Sequence, residues 1–366
     1  MCKGGVNIHI ENYQKLESVR AVVDEKLLKI TNGETRRNAY VRLYGVSSYA
    51  SMLAQKRGLQ QHIAAIAGLL HDYYLFMTGI EEFHDQNGAE AIRPILRDMD
   101  IFTKEEQRII LCAVFYHSDK TNIHNEYDEI VKDAEVLQQY FYNNGTEVSF
   151  EHAKRLRKLL NELGILNDFK VEQDEQGKGT PIEVSGNRCE RLADWAEQLA
   201  SKGIIGIPSD KDYHDICLYW TGDNIYKELK ASWCAAFVYY CCRKAGLLLP
   251  IRFPNSVCRF AGVAAWLEWA QFPDVNFFHS VQEQGFSPAR GDIVIYEKLL
   301  SNESHDHIGV VLSCHDNELL VAEGNMDNKN QSSLVRRDRW SKILGYIRID
   351  NSYQYKFVGE YNPIPV

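Results

Sequence analysis

The sequence predicts a two-domain protein in which an all-α domain is followed by an α+β domain with a small antiparallel sheet. With 366 residues, the chain can bury two separate hydrophobic cores. Through residues 12–165, apolar side chains recur at intervals of three and four, which is the period of an amphipathic helix. Beyond Pro288 the pattern changes to short apolar or alternating runs such as GDIVIYEKLL and HIGVVLSC, which predict strands separated by polar turns.

The domain limits follow from these changes in pattern. The residues after Leu166 are polar and contain Gly and Pro, as linkers often do. Helical periodicity returns near Arg188 and continues until the strands begin. We therefore predict a helical domain at residues 1–166, a linker at 167–187, an α+β domain at 188–352 and a C-terminal tail at 353–366.

Composition and charge argue against several classes of function. The 41 Lys and Arg residues against 50 Asp and Glu residues give a net charge of −9, which does not favour nucleic acid or anionic lipid as a partner. We find no apolar run of about 18 residues, and no apolar core of a signal peptide near the N-terminus. These features predict a cytoplasmic protein without membrane insertion. The nine cysteines include no CxxC pair, so we expect reduced and mostly buried thiols.

One cysteine stands at the beginning of a predicted helix, in the segment SWCAAFVYYCCRKAG. Ser232 is a suitable N-cap residue and Gly246 a suitable C-terminal stop, which puts Cys234 in the first turn. There the unpaired backbone N–H groups and the helix dipole stabilise a thiolate. Cys241 and Cys242 fall inside the helix, where we expect them to be packing residues only.

A nucleophilic thiol also needs an imidazole base and a group that orients the imidazole. The run HIGVVLS predicts a strand in which His307 and Gly309 share one face, while His305 falls in the preceding loop. The run ELLVAEGN predicts a second strand that ends at Glu323, with Asn325 two residues later. Taken singly, a strand histidine is more often a satisfied polar contact and a strand-end glutamate a solvated charge.

In chain order, the segments WCAAFV, GDIVIY, HIGVV, EGN and GYIRI resemble the CHAP amidase/peptidase family of papain-like cysteine hydrolases, over about residues 188–350. The resemblance implies that Cys234 is the nucleophile and His307 the general base. It also implies that Glu323 holds the imidazole and that Asn325 supports this network. The family hydrolyses amides through a thioester acyl-enzyme and needs no cofactor. Its substrates are peptides of cell-wall murein (peptidoglycan) or small amide conjugates. The backbone N–H of Cys234 is a natural oxyanion donor.

The predicted helical domain contains a second group of polar residues on apolar segments. In AAIAGLLHDYYLF, His71 and Asp72 are adjacent on a helix that is apolar nearly all round and should therefore be buried. Burying a carboxylate beside an imidazole is costly unless both have partners, and a metal ion is one suitable partner. His117 and Asp133 also lie on apolar stripes, and His84 precedes a helix.

This arrangement resembles the HD superfamily of metal-dependent phosphohydrolases, over about residues 36–142. The resemblance implies the metal ligands His71, Asp72, Asp133, His84 and His117. One further ligand of the superfamily, a histidine ahead of the first apolar helix, is replaced here by Arg42. Helical spacing places Arg42 on the buried stripe of its helix rather than on the solvent face.

Arg42 leaves two outcomes open. The five remaining ligands can hold a divalent ion such as Mn²⁺, Fe²⁺, Zn²⁺ or Mg²⁺ while Arg42 contacts a substrate phosphate. Alternatively, the guanidinium takes the cationic position itself and pairs with Asp72 or Asp133 in a metal-free core. With metal, the domain would hydrolyse a phosphate ester, for example in a nucleotide. Without metal, it would be a binding or regulatory module.

The leading hypothesis is thus a cysteine amidohydrolase or peptidase whose substrate is a peptide or small amide. A nucleotide or phosphate ligand is expected at the HD-like domain. The first alternative is a protein whose main activity is metal-dependent phosphohydrolysis of a nucleotide or phosphodiester. The second is a scaffold in which both pockets bind and neither catalyses.

Overall fold

The computed structural model describes residues 4–143, 147–148, 150–165, 170–171, 187–222, 224–230, 232–302 and 304–365. The chain forms two compact units, one of Met1–Thr180 with Glu360–Val366 and one of Pro181–Gly359. Most of the predicted linker at 167–187 lies outside the described residues. The end of the predicted tail belongs to the first unit, because residues from Glu360 onwards pack there.

The first unit is helical, as predicted. Its described helices are α1 (Gly4–Leu28), α2 (Gly33–Lys56), α3 (Gln61–Leu70), α4 (Tyr73–Thr78), α5 (His84–Asp98), α6 (Lys104–Tyr116), α7 (Glu126–Tyr142) and α8 (Phe150–Leu163). Two residue pairs form short parallel strands, β1 (Glu147–Val148) and β2 (Lys170–Val171), which the sequence pattern did not predict. The helices pack through the apolar stripes seen in the sequence. In α2, for example, Val46, Ala50 and Leu53 are fully buried.

The second unit is α+β, also as predicted. Its helices are α9 (Arg188–Ser201), α10 (Lys211–Cys217), α11 (Ile225–Leu229), α12 (Cys234–Lys244) and α13 (Val263–Gln271). Its strands are β3 (Phe278–Ser280), β4 (Ile293–Tyr296), β5 (His307–His315), β6 (Glu318–Glu323), β7 (Ser333–Asp338) and β8 (Ile343–Ile347), and a 3₁₀ turn spans Met326–Asn328. The strands form one antiparallel sheet in the order β3-β8-β4-β5-β6-β7. The predicted fold class is therefore confirmed.

Close packing between α12 and the sheet positions the second unit's polar centre. Helix α12 packs on β5 and β6, and its residues from Cys234 to Cys242 are buried. The approach is closest at Gly324, directly after β6, where a Cβ atom would lie 2.4 Å from Cβ of Phe237. Any side chain at this position would push the helix away from the end of β6, so a glycine is required there.

Two other expectations concern the thiols and the bilayer. The cysteines among the described residues are all free, and Cys112, Cys217, Cys234, Cys241 and Cys242 are buried. Among the described residues, no helix combines the length and the apolar character that crossing a bilayer requires.

Candidate functional site

Cys234 is the first residue of α12 and its side chain is buried, with a relative exposure of 5%. The predicted cap differs in detail, because Trp233 rather than Ser232 occupies the N-cap position and makes no side-chain capping bond. Trp233 is instead held by its indole, which donates from Nε1 to Oδ1 of Asn330 over 3.1 Å. A helix start has backbone N–H groups without intrahelical partners, which suits a negative charge on Cys234.

His307 begins β5 and is fully buried beside Cys234 and Glu323. Its Nε2 lies 3.0 Å from Oε2 of Glu323, while its Nδ1 is buried and has no hydrogen-bond partner among the described residues. Burial opposes a charge on this ring. The Cys234 sulfur and the Glu323 carboxylate outweigh burial and raise the pKa of His307 to about 10. Nε2 is thus held by the Glu323 carboxylate, and Nδ1 is available to the Cys234 thiol.

Glu323, the last residue of β6, is fully buried and is held by a cation that the sequence analysis missed. Arg337 on β7 donates from Nε to Oε1 over 2.9 Å and from Nη2 to Oε2 over 2.6 Å. Its Nη2 also lies 2.8 Å from Oδ1 of Asp327. Burial would raise the pKa of Glu323, but the hydrogen bonds from His307 and Arg337 lower it to about 2. The carboxylate is therefore ionised and fixed in orientation.

Tyr296 completes the surroundings of the imidazole and was also missed. It faces His307 across the β4–β5 register, with ring centroids 5.7 Å apart and planes at 29°. The guanidinium of Arg337 lies 5.6 Å from the centroid of the Tyr296 ring. Burial, followed by the Glu323 charge, raises the pKa of Tyr296 well above its usual value. The sequence did show a tyrosine ending GDIVIY and an arginine pair in SLVRRD, but no local pattern pairs these strands with His307.

Asn325 requires a correction. The resemblance implied that it supports the imidazole network, and it is indeed fully buried two residues beyond Glu323. Its side-chain Nδ2, however, donates to Oδ1 of Asn328 over 3.1 Å, and its Oδ1 accepts from the backbone N of Asn330 over 3.0 Å. With φ at +50°, Asn325 turns the chain out of β6, so its amide closes the loop rather than contacting His307.

The arrangement combines a sulfur at a helix start, an imidazole and a fixed carboxylate, which are the parts of a nucleophile–base–orienter system. The other two cysteines of α12 behave as predicted. Cys241 and Cys242 are fully buried, and burial raises the pKa of each thiol, so neither is suited to nucleophilic chemistry. Asp292 is structural, because Arg348 donates to its two oxygens over 2.8 and 2.6 Å.

In the helical unit, His71 and Asp72 lie at a break between two helices rather than within one. Helix α3 ends at Leu70 and α4 begins at Tyr73, so the pair occupies the connecting turn. Both side chains are fully buried, as predicted. The break directs Asp72 toward His84, at the start of α5, and His117, directly after α6.

The three histidines are held in the same way. In each ring Nδ1 contacts the backbone oxygen three residues earlier, with distances of 2.7 Å (His71–Gly68), 2.8 Å (His84–Glu81) and 2.7 Å (His117–Val114). A carbonyl oxygen only accepts, so Nδ1 carries the proton and Nε2 of each neutral ring presents a lone pair. The three Nε2 atoms lie 3.2 to 3.3 Å from the carboxylate of Asp72.

Lone pairs that converge on a carboxylate need a cation between them. Nε2 of His71 and Oδ1 of Asp72 are buried and make no hydrogen bond among the described residues. Burial opposes charge on His84, but Asp72 raises its pKa to about 9, so without metal a proton takes the place of the cation at its Nε2, and a metal ion has to displace it. The histidines in turn hold the pKa of Asp72 well below its usual range, despite its burial. Ligand atoms of Asp72, His84 and His117 lie close enough together to hold a metal ion.

Arg42 faces inward on α2, as predicted, and it bridges two carboxylates. Its Nε donates to Oδ2 of Asp72, and its Nη2 donates to Oε1 of Glu135 over 2.8 Å. Lys120 donates to the other oxygen of Glu135 and, over 2.6 Å, to the backbone oxygen of His117. Although burial opposes it, these cations lower the pKa of Glu135 to about 2. Arg42 thus pairs with Asp72, as the second predicted outcome requires, while Asp72, His84 and His117 can still hold the metal ion of the first.

Asp133 requires the second correction, because it does not join this cluster. Its oxygens pair with Nη2 of Arg57 at 2.8 Å and with Nη1 of Arg155 at 2.6 Å. Two residues along an α-helix are separated by about 200° around its axis, so Asp133 and Glu135 point to different sides of α7. Sequence reasoning chose the wrong acidic residue of VKDAEVL; Glu135 lies on the same stripe as the buried Val131 and Gln138.

A cavity of about 440 Å³ opens beside these residues. It is lined by Arg42, His84, Ser118, Lys120 and Glu135, together with Leu75, Phe76, Glu81 and His152. Basic and hydroxyl groups therefore face a space that is large enough for a small ligand.

Comparison with known protein families finds one matching domain in each of the two units. The family model of the HD domain matches residues 40–140, and that of the CHAP domain matches residues 225–325. The first match includes Arg42, Asp72, His84 and His117, and the second includes Cys234 and His307 and ends at Asn325. No curated protein and no solved structure matches the chain.

Proposed function

We propose that this chain, which carries an HD domain and a CHAP domain, is a cysteine-dependent amidase or peptidase. The observation that carries the proposal is the position of His307, which is held through Nε2 by Glu323 and raised in pKa by the Cys234 sulfur. An imidazolium beside a sulfur favours the reactive thiolate. Glu323, which is ionised and paired with Arg337, is the group that orients the His307 imidazole.

The chemistry follows from these roles. The sulfur of Cys234 forms a bond to the carbonyl carbon of the amide, and the negative charge that develops on the oxygen faces the backbone N–H groups at the start of α12. The His307 imidazolium then protonates the leaving nitrogen, the C–N bond breaks and a thioester remains. Water, deprotonated by His307, attacks the thioester. The acid is released, the sulfur of Cys234 leaves as a thiolate, and the proton taken from water stays on His307, which restores the starting pair. For the substrate class we propose peptide amides of cell-wall murein or a related small amide.

Selective alkylation tests the thiol. We expect a limiting dose of iodoacetamide at pH 6 to label Cys234 before the other cysteines, with the site mapped by mass spectrometry. Cys258 is the matched control, because it is more exposed than Cys234. Preferential labelling of Cys234 would therefore report reactivity rather than access. Cys258→Ala should leave the labelling intact, whereas Cys234→Ala should abolish it and lower amide hydrolysis by at least about 1,000-fold.

The opposite result is equally clear. If total labelling and turnover are the same in wild type and Cys234→Ala, the activated thiolate does not exist. A protein that shows neither selective labelling nor hydrolysis of any murein peptide would be a scaffold.

For the HD domain we propose a single divalent cation held by Asp72, His84 and His117. Nε2 of His84 and Nε2 of His117 converge on Oδ1 of Asp72, which supports it, whereas His71, also implied as a ligand by the resemblance, approaches the other oxygen, Oδ2. When bound, such an ion supplies a Lewis acid and an activated water for hydrolysis of a phosphate ester. Arg42 and Lys120 would bind and orient the phosphate in the adjacent cavity. In a chain without turnover, the same groups would form a regulatory phosphate-binding module.

Metal content tests this proposal. After loading with Mn²⁺ and dialysis, we expect about one ion per chain in wild type, with thermal stabilisation of the protein by the metal. His117→Ala should lose the ion. Asp133→Asn is the control, because its carboxylate is occupied by Arg57 and Arg155 and should not affect binding. A metal-free wild type, or loss of metal only in Asp133→Asn, would contradict the assignment. Release of phosphate from a nucleotide or phosphodiester tests turnover separately.

A further inference from the structure

A second cavity lies in the α+β unit. It measures about 310 Å³ and is lined by the loop after β3 and by residues around the β7–β8 turn. Three of its lining residues are aromatic: Phe286, Trp340 and Tyr346. None of its lining residues belongs to the Cys234 centre.

The aromatic walls are held rigidly. Phe286 stacks on Tyr346 with centroids 5.6 Å apart and planes at 29°, and His279 stacks on Phe286 at 4.2 Å. The indole of Trp340 is held because its Nε1 donates to Oδ1 of Asn317 over 3.1 Å, and the guanidinium of Arg339 lies over one ring face, 4.8 Å from the centroid, which leaves the other face for a ligand. Trp340 nevertheless remains 60% exposed. A fixed and exposed indole loses little conformational freedom when a ligand stacks on it.

The polar groups of the cavity are suited to an uncharged, hydroxyl-rich ligand. Gln282 and Gln284 are exposed amides, and each side chain offers both donors and an acceptor. The two charged lining residues, Glu283 and Arg339, have opposite signs, and Glu283 is already paired with His279 at 3.1 Å. The lining residues therefore carry no net charge that would favour an ionic ligand.

One buried group is unsatisfied. Tyr346 is only 2% exposed, and its hydroxyl has no hydrogen-bond partner among the described residues. A buried hydroxyl without a partner costs free energy, which a ligand in this cavity could recover by hydrogen bonding.

We propose that this cavity is a carbohydrate-binding subsite that holds a sugar ring of the murein glycan. The C–H face of a pyranose stacks on Trp340, and its hydroxyl and N-acetyl groups hydrogen bond to the glutamines and Tyr346. The choice of a murein glycan rests on the proposed amidase function, but the existence of a sugar site does not. The subsite would hold the glycan while the attached peptide is cleaved elsewhere on the unit.

Tryptophan fluorescence provides the test. Of the chain's six tryptophans, Trp340 is exposed, Trp195 is half-buried and the other four are buried. In full-length Cys234→Ala, the oligosaccharide chitotetraose should therefore protect the exposed fluorescence from quenching by acrylamide. We expect Trp340→Ala to weaken chitotetraose binding, measured by calorimetry, by at least about tenfold. Tyr346→Phe should weaken it while keeping the fold, since the lost hydroxyl has no partner. Tyr13→Ala, which removes an aromatic residue 62% exposed in the other unit, should bind normally.

The outcomes separate this inference from the amidase proposal. Absence of chitotetraose binding, or binding that is equal in Trp340→Ala and wild type, overturns the sugar subsite. So does binding of a sugar-free murein peptide that depends on Trp340. Hydrolysis of a short peptide amide without sugar tests Cys234 alone. If that hydrolysis is absent while chitotetraose protects Trp340, the subsite stands and the amidase proposal fails.

Discussion

At the scale of single residues, the charge of His307 depends on two neighbours, the Cys234 sulfur and the Glu323 carboxylate. Its pKa of about 10 is raised by the Cys234 sulfur and the Glu323 carboxylate against the effect of burial. A raised pKa keeps the proton on the ring below that pH, so the imidazolium needed to protonate a leaving amine persists through neutral pH. Activity should therefore decline on the alkaline side near pH 10.

Glu323→Gln tests this dependence. Glu323 is one of the two groups that raise the pKa of His307, so removing its charge should move the alkaline limb of the pH–kcat/KM profile toward neutrality. It should also lower kcat/KM by about 100-fold, because the imidazole loses the group that orients it. Glu318→Gln, at the exposed opposite end of β6, is the control and should match wild type. An alkaline limb that stays in place in Glu323→Gln would mean that the carboxylate does not act on His307.

Several of these residues could be identified from the sequence, and others could not. Cys234, His307 and Glu323 lie at places that the sequence pattern predicts, a helix start, a strand entrance and a strand end, but their roles were implied by the ordered resemblance to the CHAP family. Arg337 and Tyr296 have no such pattern, because their contact with the imidazole depends on strand pairing. Asn325 was placed near the right residues, but the turn geometry that directs its amide into the loop cannot be read from its position in the chain.

At the scale of elements, periodicity predicted the helices of the first unit and the strands of the second. It failed where long-range contacts decide the boundary. The apolar run AAIAGLLHDYYLF looks like one helix, yet it breaks at His71 and Asp72, where the side chains meet residues from α5 and α6. The orientation of α7 about its own axis is a second feature that long-range contacts decide. Both Asp133 and Glu135 lie in a buried segment, and only packing decides which of them faces Arg42.

At the scale of the whole molecule, the end of the chain contributes to the helical unit. Tyr361 is 2% exposed, and its ring stacks on Phe115 with centroids 4.0 Å apart. Its hydroxyl donates to Oε1 of Glu90 over 2.8 Å and accepts from Nη2 of Arg93 over 2.7 Å. The helical unit is thus completed by residues that follow the α+β unit in the sequence.

Tyr361→Ala should consequently destabilise the helical unit. Loss of a fully packed aromatic ring costs about 3–5 kcal/mol, and here two buried polar groups also lose a partner. Hydrogen exchange should accelerate in α5 and α6 and remain unchanged in β5 and β6. Val358→Ala, three residues earlier and 90% exposed, should leave both units unaffected. Equal exchange in wild type and Tyr361→Ala would show that the terminal segment adds no stability.

The sequence by itself determined the order and class of the two domains, because helix period and strand alternation are local properties of a chain. Its resemblance to the CHAP family implied the thiol, the imidazole and the carboxylate of the second domain. Only the tertiary structure decided that Arg337 holds Glu323, that Glu135 rather than Asp133 pairs with Arg42, and that Phe286, Trp340 and Tyr346 enclose one cavity. These facts depend on strand register, on helix rotation and on contacts between distant residues, which no short stretch of sequence encodes.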